Sequence, residues 1–398
     1  MIQRNTYLNK LLGYKDKHII KIITGIRRCG KSTLLEMFRE RLLQDGVRQE
    51  QIHAVNFEDM NYAHLSDAKS LHEYISTKLL SDEMNYIFLD EVQNVQGFQR
   101  AVDSLFIKKN VDLYLTGSNA YLLSGEIATL LSGRYVEISM LPLSFKEYMS
   151  STGTTSDLSR KYADYLTYSS FPFTVELDKD EERIREYLSG IYNTVVLKDV
   201  VARKNISDVM MLESVIRFMF DNIGSLMSTK KISDTMTAAG RKISTHTVES
   251  YISALVDSFV IYRAKRYDIK GRQYLKTNDK YYAVDIGLRR TLLGDTKRDV
   301  GHILENVIYL ELLRRGYDVF VGKLNTAEID FVAIKQGTIE YYQVAATVRD
   351  EATLARELAS LYSVRDHYSK TLITLDDDPP ADYSGIRQVN ALNFLLEG

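Results

Sequence analysis

The stretch Gly25-Ile26-Arg27-Arg28-Cys29-Gly30-Lys31-Ser32 limits what this chain can fold into more than any other. It satisfies G-x-x-x-x-G-K-[ST] and lies between an apolar run, IIKIIT, and an amphipathic run, KSTLLEMFRERLL. A glycine-bracketed turn from a buried strand into a helix points backbone amides inward at the positive end of the helix dipole, where phosphate oxygens bind. Larger side chains at Gly25 or Gly30 block that wrap. Gly25, Ile26, Arg27, Arg28, Cys29, Gly30, Lys31, Ser32 and Thr33 are therefore the expected nucleotide contacts, with Lys31 against the γ-phosphate of ATP and Ser32 on Mg2+. Cys29 reads as a small loop residue; the alternative is a thiol made acidic and oxidisable by the helix terminus.

A second run, YIFLDEVQ, ends a buried strand on Asp90-Glu91. Next to a phosphate loop, two carboxylates match what hydrolysis needs: Asp90 to hold Mg2+ through water, and Glu91 to orient and deprotonate the attacking water. The following strand, VDLYLTGSN, places Thr116, Ser118 and Asn119 at its end, where they can contact the γ-phosphate or the water. Arg134, in LLSGRYVEI, precedes another strand; an arginine there can reach from a subunit edge into a neighbour's site. Arg27, Arg28 and Arg100 are weaker candidates for that role.

Residues 18 to 140 alternate short β-rich runs with helical periodicity, the rhythm of a parallel sheet covered by helices on both faces. Tyr-rich helical patterns follow to about 210, then helix-turn-helix character to 290, then mixed helix and strand to 398. The expected organisation is α/β: a P-loop parallel-sheet ATPase domain over 1–150, a helical linker or lid over 151–210, a helix-turn-helix domain over 211–295 and a mixed α/β domain over 296–398. A single cysteine and seven scattered histidines argue against a disulfide or a structural metal site. No apolar run is long enough for a membrane helix and the N-terminus lacks a secretory pattern, so the expectation is a cytoplasmic protein without membrane contact.

The run KKISDTMTAAGRKISTHTVESYISALVDSFVIYRAKRYD reads as two helices around a turn near Gly240, followed by a strand. Between 228 and 290 thirteen Lys and Arg face six acids, a local charge of +7 against -2 for the whole chain. Arg241, Lys242, Arg263, Lys265, Arg266, Lys270 and Arg272 are the expected nucleic-acid contacts, made to the DNA backbone rather than to base edges.

GIRRCGKSTLL, VNFED, FLDEVQ, LTGSNA and LSGRY, with FPF at 171–173, YNTVVLKDVV at 192–201 and the 266–289 segment, resemble the AAA-like ATPases of archaea and bacteria that carry a C-terminal domain of unknown function. The resemblance covers nearly the whole chain. It implies an ATPase core, a winged-helix domain and an α/β restriction-endonuclease-like C-terminal domain of the PD-(D/E)xK nuclease fold. In that fold a helix Glu, a strand Asp and a Glu-x-Lys gather around a metal. Glu305 and Asp330 match two of these positions, but Gln343 stands for the Glu and Ala345 for the Lys, leaving Lys323 on the preceding strand as the nearest replacement amine. Two carboxylates hold a hard cation more weakly than three, so this domain is expected to grip or dock rather than cut. The leading expectation is Mg2+-dependent ATP hydrolysis by a homo-oligomer, a ring or dimer, coupled to DNA binding or remodelling. The alternatives are an ATP-regulated metal-dependent nuclease and a nucleotide-controlled assembly switch without DNA.

Overall fold

The structure is a computed structural model that describes residues 2–120, 131, 133–153, 157–201, 206–275, 278–294, 299–325 and 327–397. The chain forms two compact units: one reaches Pro142 and includes Asp257–Phe259, and the other comprises the remainder from Leu143. The first boundary thus falls ahead of the expected 150, while the regions expected as lid, winged helix and nuclease-like domain form one unit. No described helix is long and apolar enough to cross a membrane.

The first unit is built on five strands, β1 (Ile20–Thr24), β2 (Ile52–Asn56), β3 (Asn85–Asp90), β4 (Val111–Gly117) and β5 (Tyr135–Ser139). They pair in parallel in the order β2-β3-β4-β1-β5. Alternation along β3 explains how both faces are covered. Ile87 and Leu89 join Ile22, Leu113 and Leu115 in a core closed by Leu71 and Ile75 of α3 (Ala68–Ser76) and by Ala101, Val102 and Leu105 of α4 (Phe98–Phe106). Phe88 turns the other way and stacks on Tyr114 at 4.9 Å, with Phe38 of α2 (Lys31–Gln44) against both. Strands buried on both faces have no solvent side, so they read as continuous apolar runs rather than alternating ones.

In the second unit the helices Thr229–Ala238 and Thr245–Asp257 flank Gly240 as expected, and Ser244 caps the second by accepting from the Thr247 N–H at 3.0 Å. The strand β6 (Ile261–Ala264) pairs antiparallel with β9 (Lys280–Ala283). Between them, β7 (Arg266–Asp268) and β8 (Gln273–Tyr274) leave this ribbon and join β10 (Asp318–Leu324), β11 (Ala327–Lys335), β12 (Thr338–Ala345), β13 (Ser369–Thr374), β14 (Ala381–Tyr383) and β15 (Ile386–Asn390). The resulting sheet runs β14-β15-β13-β12-β11-β10-β7-β8. Because strands from both sides of residue 295 share this sheet, the expected winged helix and nuclease-like domain are not separated there. β10, β11 and β12 form an antiparallel meander, and β12, β13 and β15 pair in parallel.

Candidate functional site

At the carboxyl end of β1 the loop takes the shape its glycines demand. Gly25 has φ 147° and Gly30 φ 103°, and a Cβ at Gly25 would collide with the Met140 carbonyl oxygen. Lys31 is buried; its Nζ donates to the carbonyls of Gly25 (3.1 Å) and Ile26 (3.3 Å) and lies 3.5 Å from Glu91 Oε1. The parallel pairing of β1 with β4 and of β4 with β3 brings the loop, Asp90-Glu91 and the Thr116–Asn119 turn to one end of the sheet.

Asp90 accepts hydrogen bonds from the Thr116 hydroxyl and from Ser32, and burial pushes its carboxyl above the ordinary aspartate range. Glu91 sits in the left-handed region at φ 54°, a conformation that costs a non-glycine residue about 1–3 kcal/mol and persists only where the surroundings impose it. Its backbone N–H donates to Thr116 Oγ1 at 2.9 Å, and its carboxylate accepts from Ser118 Oγ and Gln93 Nε2, both at 2.5 Å. Burial pushes the Glu91 carboxyl up, but Lys31, Ser118 and Gln93 outweigh it and hold it below the usual glutamate range. Asn119 is buried at the same turn.

The donor set suits a nucleotide with its magnesium: Ser32 and Asp90 supply hard oxygen donors side by side, and the Lys31 amine lies beside Glu91 at the same end of the sheet. Two contacts were not foreseen. Arg4, ahead of α1 (Asn5–Gly13), donates through Nη1 to the Cys29 carbonyl (2.9 Å) and through Nη2 to that of Leu141 (2.6 Å). The Leu141 N–H in turn donates to the Tyr7 hydroxyl at 3.1 Å. The segment before β1 therefore ties the loop to the strand end beside it. The acidic-thiol alternative for Cys29 is corrected: the side chain is fully buried, and burial pushes the thiol up. Arg27 pairs with Glu58 at 2.9 Å, Arg28 is exposed at φ 67°, and Arg100 is exposed. Arg134 immediately precedes β5, at the end of the sheet away from the loop, where its Nη1 meets Asp103 Oδ1 at 2.5 Å.

The basic stretch is less free than its charge count. Lys265, Lys270, Arg272 and Lys242 are exposed and Arg266 is half-buried. Arg263 pairs with Asp279 at 2.5 Å, Arg241 donates to the Met210 carbonyl at 3.2 Å, and Arg289 is buried against Asp299 at 2.8 Å. Lys280, also counted in the +7, is buried in the second unit's carboxylate cleft.

That cleft, of about 960 Å³, brings Glu305, Asp330 and Gln343 together with Glu328, Glu357 and Lys280, which were not foreseen. Lys280 is the buried amine among the residues that line the cleft, and Lys323 is absent from that lining. Lys280 Nζ lies 2.9 Å from Glu305 Oε1, 2.9 Å from Glu328 Oε1 and 3.6 Å from Asp330 Oδ1. The helix Val300–Arg314 sets this up. Asn306 completes the open edge of β9, accepting from the Ala283 N–H (2.7 Å) and donating to its carbonyl (2.9 Å). Lys280 and Tyr282, two apart on one strand face, both reach Glu305, the Tyr282 hydroxyl donating to it at 2.6 Å. Gly224 (φ 71°) makes room, since a Cβ there would stand 3.2 Å from Glu305 Oε2. Glu311, further along the same helix, points elsewhere and pairs with Arg314 and Arg315. Burial first, then Glu305, pushes the Asp330 carboxyl up to about 7, against the pull of Lys280.

Fold and loop together define a protein with an AAA-type P-loop ATPase domain, and the AAA domain family matches residues 17–149. Residues 159–299 match a family described as a domain of unknown function. The chain is 42% identical to an uncharacterized protein of Haemophilus influenzae over 402 residues, covering 100% of this chain and 99% of that one, and it belongs to the same family. An uncharacterized protein of Methanocaldococcus jannaschii is 28% identical over 90% of this chain and 82% of its own length. Among solved structures, the Walker-type ATPase of Pyrococcus abyssi shares the fold with a TM-score of 0.50 at 15% identity, covering 73% of this chain and 96% of that one.

Proposed function

We propose that the chain hydrolyses ATP at the loop of its first unit, as a homo-oligomer whose neighbouring subunit contributes Arg134, and that it couples the cycle to DNA binding or remodelling. The observation that carries the hydrolytic part is Glu91. A protein that only held nucleotide would not need a second buried carboxylate beside Asp90, kept ionised by Lys31 and held in an otherwise costly backbone conformation by Thr116 and Ser118. Lys31 neutralises phosphate charge, and Glu91 accepts the proton of the attacking water. Ser32 and Asp90 would hold Mg2+, which supplies charge neutralisation across the β- and γ-phosphates. Ser118 and Asn119, at the end of β4, register the γ-phosphate. The DNA part rests on exposed Lys242, Lys265, Lys270 and Arg272, which precede and follow the Thr245–Asp257 helix in sequence.

The test is phosphate release across a panel of duplex, junction and single-stranded DNA and RNA, with mass measured with and without nucleotide. DNA-stimulated turnover that Glu91→Gln abolishes while ATP binding persists supports the reading; absence of turnover with every nucleic acid refutes it. A second reading, an assembly switch that binds no DNA, is favoured by the internal pairing of Arg263, Arg289 and Lys280, which removes charge from the basic stretch. DNA affinity that stays flat between low and high salt, or survives neutralisation of Lys265, Lys270 and Arg272, would select it.

A further inference from the structure

We propose that Lys280 is the resident cation of the carboxylate cleft: its ammonium takes the point on which Glu305, Glu328 and Asp330 converge and keeps a divalent metal out. The metal that the nuclease resemblance implies does not fit the residues as they stand. An ammonium carries three N–H donors, and three carboxylates face this one at 2.9, 2.9 and 3.6 Å. Two of the oxygens a metal would need have further partners. Asp330 Oδ2 accepts from the Val344 N–H at 2.9 Å, and Glu305 Oε1 also accepts from Tyr282. Gln343 is engaged as well: it accepts the Asp330 N–H with its carbonyl (3.3 Å) and donates its amide to Glu357 (2.9 Å). Among the described residues, no group of three or more His, Cys, Asp or Glu is arranged to hold a metal ion.

The lysine is fixed as firmly as its partners. β9 is clamped by Asn306 on the helix that bears Glu305, and the Gly224 N–H donates to the Tyr281 carbonyl at 3.1 Å. The cluster therefore converges on a cation that the chain carries itself. If that cation is deleted, the same carboxylates gain a vacancy of the charge and donor type that Mg2+ or Mn2+ fills.

The experiment is a Mn2+ titration of full-length, nucleotide-free protein by electron paramagnetic resonance, with every chain carrying Ser32→Ala to silence the loop. With Lys280 present, no Mn2+ uptake that depends on Asp330 is expected. Lys280→Met should create uptake of Mn2+ at the cleft, and adding Asp330→Asn should remove it. Uptake of one Mn2+ by the chain that retains Lys280, lost in Asp330→Asn, overturns the proposal, because lysine and metal would then coexist. A folded Lys280→Met chain that gains no Mn2+ overturns it too. Should Lys280→Met fold only when Mn2+ is added, the substitution of one cation for the other is demonstrated directly; failure to fold with Mn2+ counts against it.

Discussion

Two buried lysines, Lys31 in the first unit and Lys280 in the second, face carboxylates in polar sites and differ in how well they are satisfied. Lys31 leans on two backbone carbonyls at 3.1 and 3.3 Å, and its carboxylate contact, Glu91, is 3.5 Å away. Lys280 has two carboxylates at 2.9 Å and a third at 3.6 Å. The first lysine has ionic capacity to spare for a ligand bringing negative charge. The second has none, and a buried ion pair of that kind mainly offsets the cost of its own desolvation. Similar residue types thus leave an amine with room for a negatively charged ligand in one unit and a satisfied one in the other, and the distances around each amine separate the cases.

The comparison breaks most easily at the extremes. Glu91→Gln keeps the hydrogen-bonding shape of the side chain and removes the base; kcat should fall about 10²–10⁴-fold with nucleotide affinity retained, read by steady-state phosphate release beside a fluorescent-nucleotide titration. A change of KM alone would reassign Glu91 to binding. Lys280→Met should leave ATP turnover near the wild-type value yet destabilise the second unit by about 3–5 kcal/mol, since it strands three carboxylates without their partner. Denaturant unfolding checks this, and a loss under about 1 kcal/mol, small beside the cost of breaking a buried pair, would show that the cleft carboxylates are not held by the amine.

The loop, Asp90 and Glu91 were legible because each signal is short and contiguous: a glycine-framed turn between an apolar strand and a helix, then a strand ending on two acids. Arg4 carried no such signal, because its role depends on where α1 folds back. The carboxylate cleft was half legible. Glu305, Asp330 and Gln343 could be named from the resemblance to a nuclease fold, but Lys280 lies in a basic stretch, and counting charge treats every lysine as exposed. Its partners come from a helix and a strand further along the chain, and Asn306 on that helix holds β9 beside them. A cue was present: in DKYYAV the lysine stands in a run of aromatic and apolar residues, a setting that favours a buried charge with partners over a solvated one.

A smaller effect should appear in the pH dependence of stability. The folded state holds the Asp330 proton up to about 7, whereas an unfolded aspartate releases it near 3.8. Between those values the native state binds more protons than the unfolded state, so this residue makes stability fall as pH rises from about 4 to 7. Asp330→Asn should flatten that part of the curve. Unfolding midpoints measured at intervals across the window, wild type against variant, give the difference; parallel curves would mean that Lys280 keeps Asp330 ionised throughout.

The smallest stability effect belongs to Arg134, and for that reason it is the most informative about assembly. Its pairing with Asp103 is half-exposed at the far end of the sheet from its own loop, so Arg134→Ala should cost only about 0.2–1 kcal/mol. A purely structural role would end there. If the guanidinium also serves a neighbour, Arg134→Ala must lower turnover far more than it lowers stability, and mixing should reveal why. A subunit bearing Arg134→Ala retains Glu91, and one bearing Glu91→Gln retains Arg134; placed side by side, each supplies what the other lacks. Activity should then return on mixing two inactive preparations, scaling with the fraction of mixed contacts. If mixtures stay as inactive as their parents, Arg134 acts within its own chain and the shared site is lost as an explanation.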